Sequence, residues 1–198
     1  MLQVIEFESL GNADLIVDAI YEGKDSRLAS DPISRLLPGC GNMGGFRLAG
    51  KGQDKQFVAL FTTGQEKDWP DRIDLNTGQF TYYGDNRTPG HELHSTPLGG
   101  NRVLRRVFDL LHGSPPQREL IPPFFVFQKY PSQKSARAVQ FKGLSVPSHP
   151  GSFCNRRFGR CMEDLWRPAL SELSLGFHHP RRRSDREDAF AGIYCRSS

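Results

Sequence analysis

The residues best suited to chemistry lie between positions 68 and 86, where a Trp, two adjacent Tyr and several carboxylates fall on predicted loops and strand ends. Aromatic faces can hold a flat polar ring, and a carboxylate can accept hydrogen bonds from its amino edge. A cytosine turned out of a duplex presents such an edge. Packed aromatic side chains and Asp-containing turns are the simpler interpretation. The residue types alone therefore leave a base pocket and ordinary packing both open.

Basic residues that could contact DNA phosphates flank this segment: Arg87, Arg102, Arg105, Arg106 and Lys129. Such contacts require the cations on one face of the molecule, and a solvated surface is the alternative. Residues 1–150 hold 17 Lys or Arg against 16 Asp or Glu, so their net charge is only +1. A basic patch would therefore have to come from the arrangement of charges.

Metal chemistry has little support in the sequence. The nearest nuclease-like pattern is Glu22-Gly23-Lys24 after Asp14 and Asp18, and it is typical of a turn. The spacing of the cysteines, Cys40, Cys154, Cys161 and Cys195, fits no common zinc motif. We expect neither a metal nor a cofactor.

The elements that must position these residues are mostly strands. Alternating or β-branched runs predict strands at residues 2–7, 56–63, 79–83, 124–127 and 138–144. Residues 13–21 favour a strand, with a short helix as the alternative. Helices are predicted over Asp31–Leu37, with Asp31 as N-cap and Pro32 at the first helical position, and over Asn101–His112, which has one apolar stripe and Gly113 as its C-terminal stop. The glycine-rich segment Gly41–Arg47 favours a structural turn, with a loop approaching a ligand as the alternative. The whole pattern predicts an α+β fold with a curved, barrel-like sheet.

One segment carries a resemblance to a known family. The run Trp69-Pro70-Asp71, then Asp74, then Phe80-Thr81-Tyr82-Tyr83-Gly84, resembles the N-terminal DNA-recognition domain of the AspBHI branch of the MspJI-type modification-dependent restriction endonucleases. Segments on either side, Ala13–Gly23, Pro122–Phe127 and Val139–Leu144, resemble it too. The resemblance covers about residues 5–150.

The resemblance implies an SRA-like domain that flips 5-methylcytosine, or 5-hydroxymethylcytosine, from double-stranded DNA into a pocket. Trp69 and Tyr82 would stack on the base, with Tyr83 as the less favoured neighbour of Tyr82. Asp74 or Asp71 would accept hydrogen bonds from the amino group of the base. The resemblance implies a separate Mrr-like nuclease domain in family members, to which any Mg²⁺ would belong, and we do not expect that domain among these 198 residues. Homo-oligomers are an option in the full-length family.

The sequence departs from the family in residues 151–198, which hold nine Arg and no Lys. Codons for Met162–Leu173, read from the second base, allow W-K-T-S-G-A-Q-R-F-Q-N-Y, which resembles the family at this point. We therefore hypothesise a recognition domain over residues 1–150 and a frameshifted or disordered tail. A non-functional remnant is the first alternative, and a metal-dependent endonuclease in its own right is the second.

The sequence also bears on location. No apolar run approaches the roughly 20 residues that span a bilayer, and the N-terminus lacks the pattern of a signal peptide. We expect a soluble, cytoplasmic protein of prokaryotic type.

Overall fold

The computed structural model describes residues 2–52, 54–67, 70–74, 78–83, 98–147 and 191–194. Within these ranges it contains two α-helices, α1 (Pro32–Leu36) and α2 (Gly100–His112). The strands in the same ranges are β1 (Val4–Ile5), β2 (Ile20–Tyr21), β3 (Phe46–Lys51), β4 (Asp54–Thr62), β5 (Arg72–Asp74), β6 (Gln79–Thr81), β7 (Phe124–Lys129), β8 (Val139–Pro147) and β9 (Ala191–Tyr194).

The strands form one mixed sheet with the order β3-β4-β7-β8-β9-β6-β5. Strand β2 also pairs with β8, and β1 pairs with β2. Strands β4 and β7 are parallel, whereas β3–β4 and β7–β8 are antiparallel. The predicted α+β class is confirmed. The described strands do not close on themselves, so the sheet is open rather than a barrel.

Both faces of this sheet are buried. Along β4, Phe57 and Ala59 join one hydrophobic cluster, while Val58 and Leu60 join another. The cluster with Phe57 and Ala59, the first core, packs beneath the N-terminal segment and α1. The cluster with Val58 and Leu60, the second core, packs beneath α2. Burying a side chain such as Phe or Leu stabilises a fold by about 1.5–3 kcal/mol, so the two layers fix the strands firmly.

The two helices follow their local signals. The Asp31 carboxylate accepts a hydrogen bond from the Ser34 amide at 2.8 Å, and Pro32 occupies the first turn of α1, as predicted. Helix α2 buries Leu104 and Val107 and ends at Gly113, also as predicted. The opposite side of α2 is left for charged residues.

The N-terminal strand predictions are largely wrong. Only β1 forms within residues 2–7, and only β2 forms within residues 13–21. The Tyr21 hydroxyl accepts from the Ile16 amide and donates to the Asp14 carbonyl, both at 2.7 Å, and Asp18 has φ 65°. These contacts fold the chain back on itself, so an extended strand cannot form.

Strand β9 lies in the tail that was predicted to be frameshifted or disordered. Its four residues, Ala191–Tyr194, pair in parallel with β8 and β6. The frameshifted or disordered nature of the tail stays a prediction. The other residues beyond position 150 lie outside the described ranges. No helix in the described part of the chain is long and apolar enough to cross a membrane.

Candidate nucleic-acid interface

An open cleft of about 390 Å³ lies where β3 begins and β4 ends. We call it the glycine-loop cleft, because the segment Gly41–Gly45, the glycine loop, supplies four of its lining residues from Asn42 onward. Asp71 lines it as well. The other lining residues are Leu28, Arg47, Phe61, Thr62, Thr63, Glu66 and Arg137.

Gly45 is confined where the loop enters β3. A Cβ atom built on Gly45 would lie 2.8 Å from the Phe61 carbonyl oxygen and 3.1 Å from the Tyr82 hydroxyl oxygen. The Phe61 amide donates to the Gly45 carbonyl at 2.7 Å, which holds the two backbones together. No larger residue fits here without moving backbone, so the sequence needs glycine at this point of the cleft.

A buried ion pair holds the glycine loop. The Arg47 guanidinium lies 2.7 Å from the Asp31 carboxylate, and each side chain is only 4% exposed. The same guanidinium donates to the carbonyls of Gly44, at 3.0 Å, and Gly41, at 3.3 Å. It also lies over the Phe61 ring, 5.7 Å from its centroid. The loop is therefore tied to the start of α1 by charge-assisted hydrogen bonds.

Of the two carboxylates proposed for the base edge, the structure places Asp71 at the cleft. Its Oδ1 accepts a hydrogen bond from the Tyr83 amide at 3.1 Å, which joins the residue before β5 to the residues after β6. Asp74 ends β5, where it is half-buried opposite Gln79, and it does not line the cleft. The recognition role itself stays a prediction for either residue.

The structure does not support the stacking role predicted for Tyr82. Its ring is 3% exposed and lies in the second core, with centroids 6.1 Å from Phe46 and 5.6 Å from Phe80. The ring is therefore part of the packed interior, and its hydroxyl oxygen lies 3.1 Å from the position of a Cβ built on Gly45. Tyr83 is half-buried, and Trp69 lies outside the described residues.

The predicted phosphate-binding cations fall into separate places. Arg102 and Arg106 line a second cleft of about 480 Å³, the α2 cleft, together with Lys55. Its floor is apolar and includes Leu48, Val103, Val107 and Leu110. Arg105 is exposed on the same helix.

Lys129 lies apart from the α2 cleft. It is exposed at the end of β7, whose Gln128 pairs with Thr62 at the end of β4. It is thus at the same end of the sheet as the glycine-loop cleft. Arg87 lies outside the described residues.

Sequence reasoning missed most of the cleft wall. The three glycines of Gly41–Gly45 were a usable signal, since the loop was noted but favoured as a plain turn. Arg47, Phe61 and Arg137 carried no local signal, because only the folded sheet brings residues so distant in sequence together.

The residues of the nuclease alternative are occupied in other ways. Glu22 is buried and accepts a hydrogen bond from the Ser132 hydroxyl at 2.7 Å, while Asp18 pairs with Lys142. In the part of the chain that is described, no three His, Cys, Asp or Glu side chains form a group that could hold a metal ion.

Comparisons with known proteins agree with this architecture. The family model described as restriction endonuclease AspBHI N-terminal matches residues 15–155. The DNA recognition domain of the cytosine modification-dependent restriction endonuclease LpnPI is 48% identical, with a TM-score of 0.73 over 79% of this chain and 69% of that one. The DNA modification-dependent restriction endonuclease AspBHI is 41% identical, with a TM-score of 0.67 over 76% and 68%. No curated protein sequence matches the chain. The chain belongs to the restriction endonuclease AspBHI N-terminal family.

Proposed function

We propose that residues 1–150 recognise modified cytosine in double-stranded DNA, and that the modified base is turned out of the helix into the glycine-loop cleft. The proposal rests on one observation above all. The Asp71 carboxylate lines a cleft whose neighbouring wall is a loop rich in glycine. Both solved relatives are described as modification-dependent restriction endonucleases, and a DNA-recognition role follows from that kinship.

The cleft has the size and polarity that a single base requires. Its volume of about 390 Å³ falls in the range of small-molecule sites, roughly 300–1,000 Å³. The exocyclic amine of cytosine donates hydrogen bonds, and a carboxylate such as Asp71 accepts them. Because Gly45 has no room for a side chain, backbone forms this part of the cleft wall. Turning the base out costs a few kcal/mol, which stacking and these hydrogen bonds offset.

Apolar side chains in the cleft can account for selection of the modified base. Leu28, Met43 and Phe61 line it and could surround a 5-methyl group. Burying one methyl contributes about 0.8 kcal/mol, or about fourfold in affinity. We propose Trp69 as the ring that stacks on the base, with Tyr83, whose amide bonds to Asp71, as the less favoured choice. 5-Hydroxymethylcytosine is the alternative ligand.

The cations contribute binding that does not depend on base identity. Arg102, Arg105 and Arg106 lie on α2, and Lys129 lies at the end of β7. We propose that they, with Arg87, contact phosphates on either side of the flipped base. Such contacts release counterions, so they strengthen binding to any duplex and weaken as salt rises.

The decisive experiment compares Asp71→Ala with Asp74→Ala. Each variant is titrated against duplex pools with randomised flanks that carry a central cytosine, either 5-methylated or unmodified. Loss of a hydrogen bond to a charged group costs about 1.5–3 kcal/mol, so Asp71→Ala should weaken methylated binding about 10- to 100-fold. Asp74→Ala should stay within about twofold of the parent.

Two outcomes would overturn the proposal. One is a parent protein that binds methylated and unmodified pools equally. The other is an Asp71→Ala protein, folded by circular dichroism, that keeps full discrimination. A loss confined to Asp74→Ala would move the recognition role to that residue and away from the glycine-loop cleft.

We also propose that much of the segment after residue 150 is read in a shifted frame. Its Arg excess, lack of Lys and three cysteines support this, and the family match ends at residue 155. The nucleotide sequence past codon 150, read in three frames, tests it. If no single-base shift restores an open, family-like frame, the idea is wrong.

A further inference from the structure

The buried pair of Arg47 and Asp31 calls for an explanation beyond stability. Each side chain is 4% exposed, whereas both members of the surface pair Lys24–Glu8 are more than half exposed. Removing two charges from water is costly, and apolar residues of similar size often stabilise a fold as well or better. The pair lies beneath the glycine loop, which forms one wall of the glycine-loop cleft, so its position indicates a role in shaping that wall.

The guanidinium sets the direction of two peptide groups in the glycine loop. The carbonyls of Gly41 and Gly44 both accept hydrogen bonds from Arg47. In a planar trans peptide the N–H points opposite to the C=O. The N–H groups of Asn42 and Gly45, which follow those carbonyls, therefore point away from the guanidinium.

Asp31 keeps the guanidinium in place. Its Oδ2 accepts from both Arg47 and the Ser34 amide, so the carboxylate is fixed by the first turn of α1. The Phe61 ring, 5.7 Å from the guanidinium, limits movement on another side. A lysine could keep the charge pair, but its single ammonium could not reproduce the planar fork that reaches Asp31 and two carbonyls together.

We propose that Arg47 is a positioning residue for base recognition. The Arg47–Asp31 pair holds the loop so that the N–H groups of Asn42 and Gly45 act as donors to the acceptor atoms of the flipped base. These donors complement Asp71, which takes the amino group. This inference rests on the proposed function of the glycine-loop cleft.

The test compares Arg47→Lys with Arg35→Lys. Arg35 is a matched control, because its guanidinium also lies over a ring, 4.9 Å from the Phe7 centroid, yet it is exposed on α1 and outside the cleft. Affinities for the methylated and unmodified duplex pools are measured well below each melting temperature. Arg47→Lys should lower methylated binding about tenfold and leave unmodified binding within about twofold. Arg35→Lys should change neither.

A second measurement uses the unaltered protein and does not depend on a variant that folds. Backbone amide resonances are followed by NMR during titration with each pool. The Asn42 and Gly45 amide protons should move downfield with methylated duplex and not with unmodified duplex.

The outcomes separate the inference from the function beneath it. Equal losses of both affinities in Arg47→Lys, or no loss of either, would overturn the positioning role. So would Asn42 and Gly45 resonances that stay in place while the parent binds methylated DNA selectively. A parent that shows no selectivity at all would instead overturn the proposed function.

Discussion

The glycine-loop cleft and the α2 cleft lie on opposite faces of the same strand. Arg47 and Leu48 are consecutive residues of β3, and successive strand side chains point to opposite faces. Arg47 lines the first cleft and Leu48 lines the second. One short strand thus contributes to two surfaces of different chemistry.

The two clefts differ in how their polar groups are held. In the glycine-loop cleft the polar groups include backbone, an ion pair that is nearly inaccessible to water, and Asp71 bonded to the Tyr83 amide. In the α2 cleft they are the long side chains of Lys55, Arg102 and Arg106 above an apolar floor. Reading a base edge requires fixed geometry, whereas neutralising phosphates tolerates movement. In the proposed function, therefore, the first cleft discriminates between bases and the second contributes overall affinity.

The largest effect is expected at Gly45. In Gly45→Ala the new Cβ would meet the Phe61 carbonyl at 2.8 Å, so backbone must shift. Such overpacking costs about 1–3 kcal/mol in the free energy of unfolding. Urea denaturation measures this, and selectivity for methylated DNA should be lost with it.

Gly41→Ala is the matched control for that substitution. A Cβ on Gly41 would meet nothing within 4 Å, so stability should change by less than about 0.5 kcal/mol. Equal free energies of unfolding for the two variants would mean that the glycine loop adjusts freely. The contrast between a fixed glycine-loop cleft and a movable α2 cleft would then fail.

An intermediate effect is expected from Arg102→Gln/Arg106→Gln. Loss of two phosphate contacts should weaken binding to methylated and unmodified duplex alike, by roughly tenfold, and reduce the slope of log affinity against log salt by about 2. As a control, the double variant Lys24→Gln/Lys134→Gln removes two cations that pair with Glu8 and Glu6 and that line neither cleft. It should leave that slope unchanged. A selective loss of methylated binding in the α2 variant would contradict the division of roles.

The smallest effect concerns alkaline pH. Cys40 precedes the glycine loop, and burial raises the pKa of its thiol to about 11. The folded state therefore keeps a proton that the unfolded chain loses near its ordinary pKa of 9.0. The free energy of unfolding should be level below pH 9 and fall as the pH rises towards 11.

Thermal melts of the parent and of Cys40→Ala measure this slope between pH 8 and pH 10. Burial raises the pKa of Tyr21 from 10.0 to about 12, so Tyr21 lowers the free energy of unfolding mainly above pH 10, and it does so equally in both proteins. The variant should show the flatter profile. Identical profiles would show that the start of the glycine loop is open to water.

Local chemistry predicted some elements well and others poorly. The Asp31 cap, the Pro32 first turn and the apolar stripe of α2 are decided by neighbours within one or two helical turns, and all three are confirmed. The strand prediction for residues 13–21 failed because the Tyr21 hydroxyl bonds to the backbone of Asp14 and Ile16 and folds this segment back on itself. No alternation rule contains such a contact.

The candidate site was harder to predict because both faces of the sheet are buried. When both faces are covered, alternation no longer distinguishes a core ring from a pocket ring, and Tyr82 is the example. The resemblance led to Asp71 but could not choose it over Asp74. Our proposal favours Asp71 because it lines the cleft and accepts a hydrogen bond from the Tyr83 amide, and no sequence pattern contains either contact.

The parallel pairing of β4 with β7 has a consequence for the order of folding. Strand β4 ends at Thr62 and β7 begins at Phe124, so residues 63–123 form one long connection between two strands that pair with each other. Asp71 and the arginines of α2 all lie within it. Closing so long a loop is entropically slow, and such distant contacts lower folding rates. We therefore expect Asp71 and the arginines of α2 to reach their final positions late, after β7 has paired with β4.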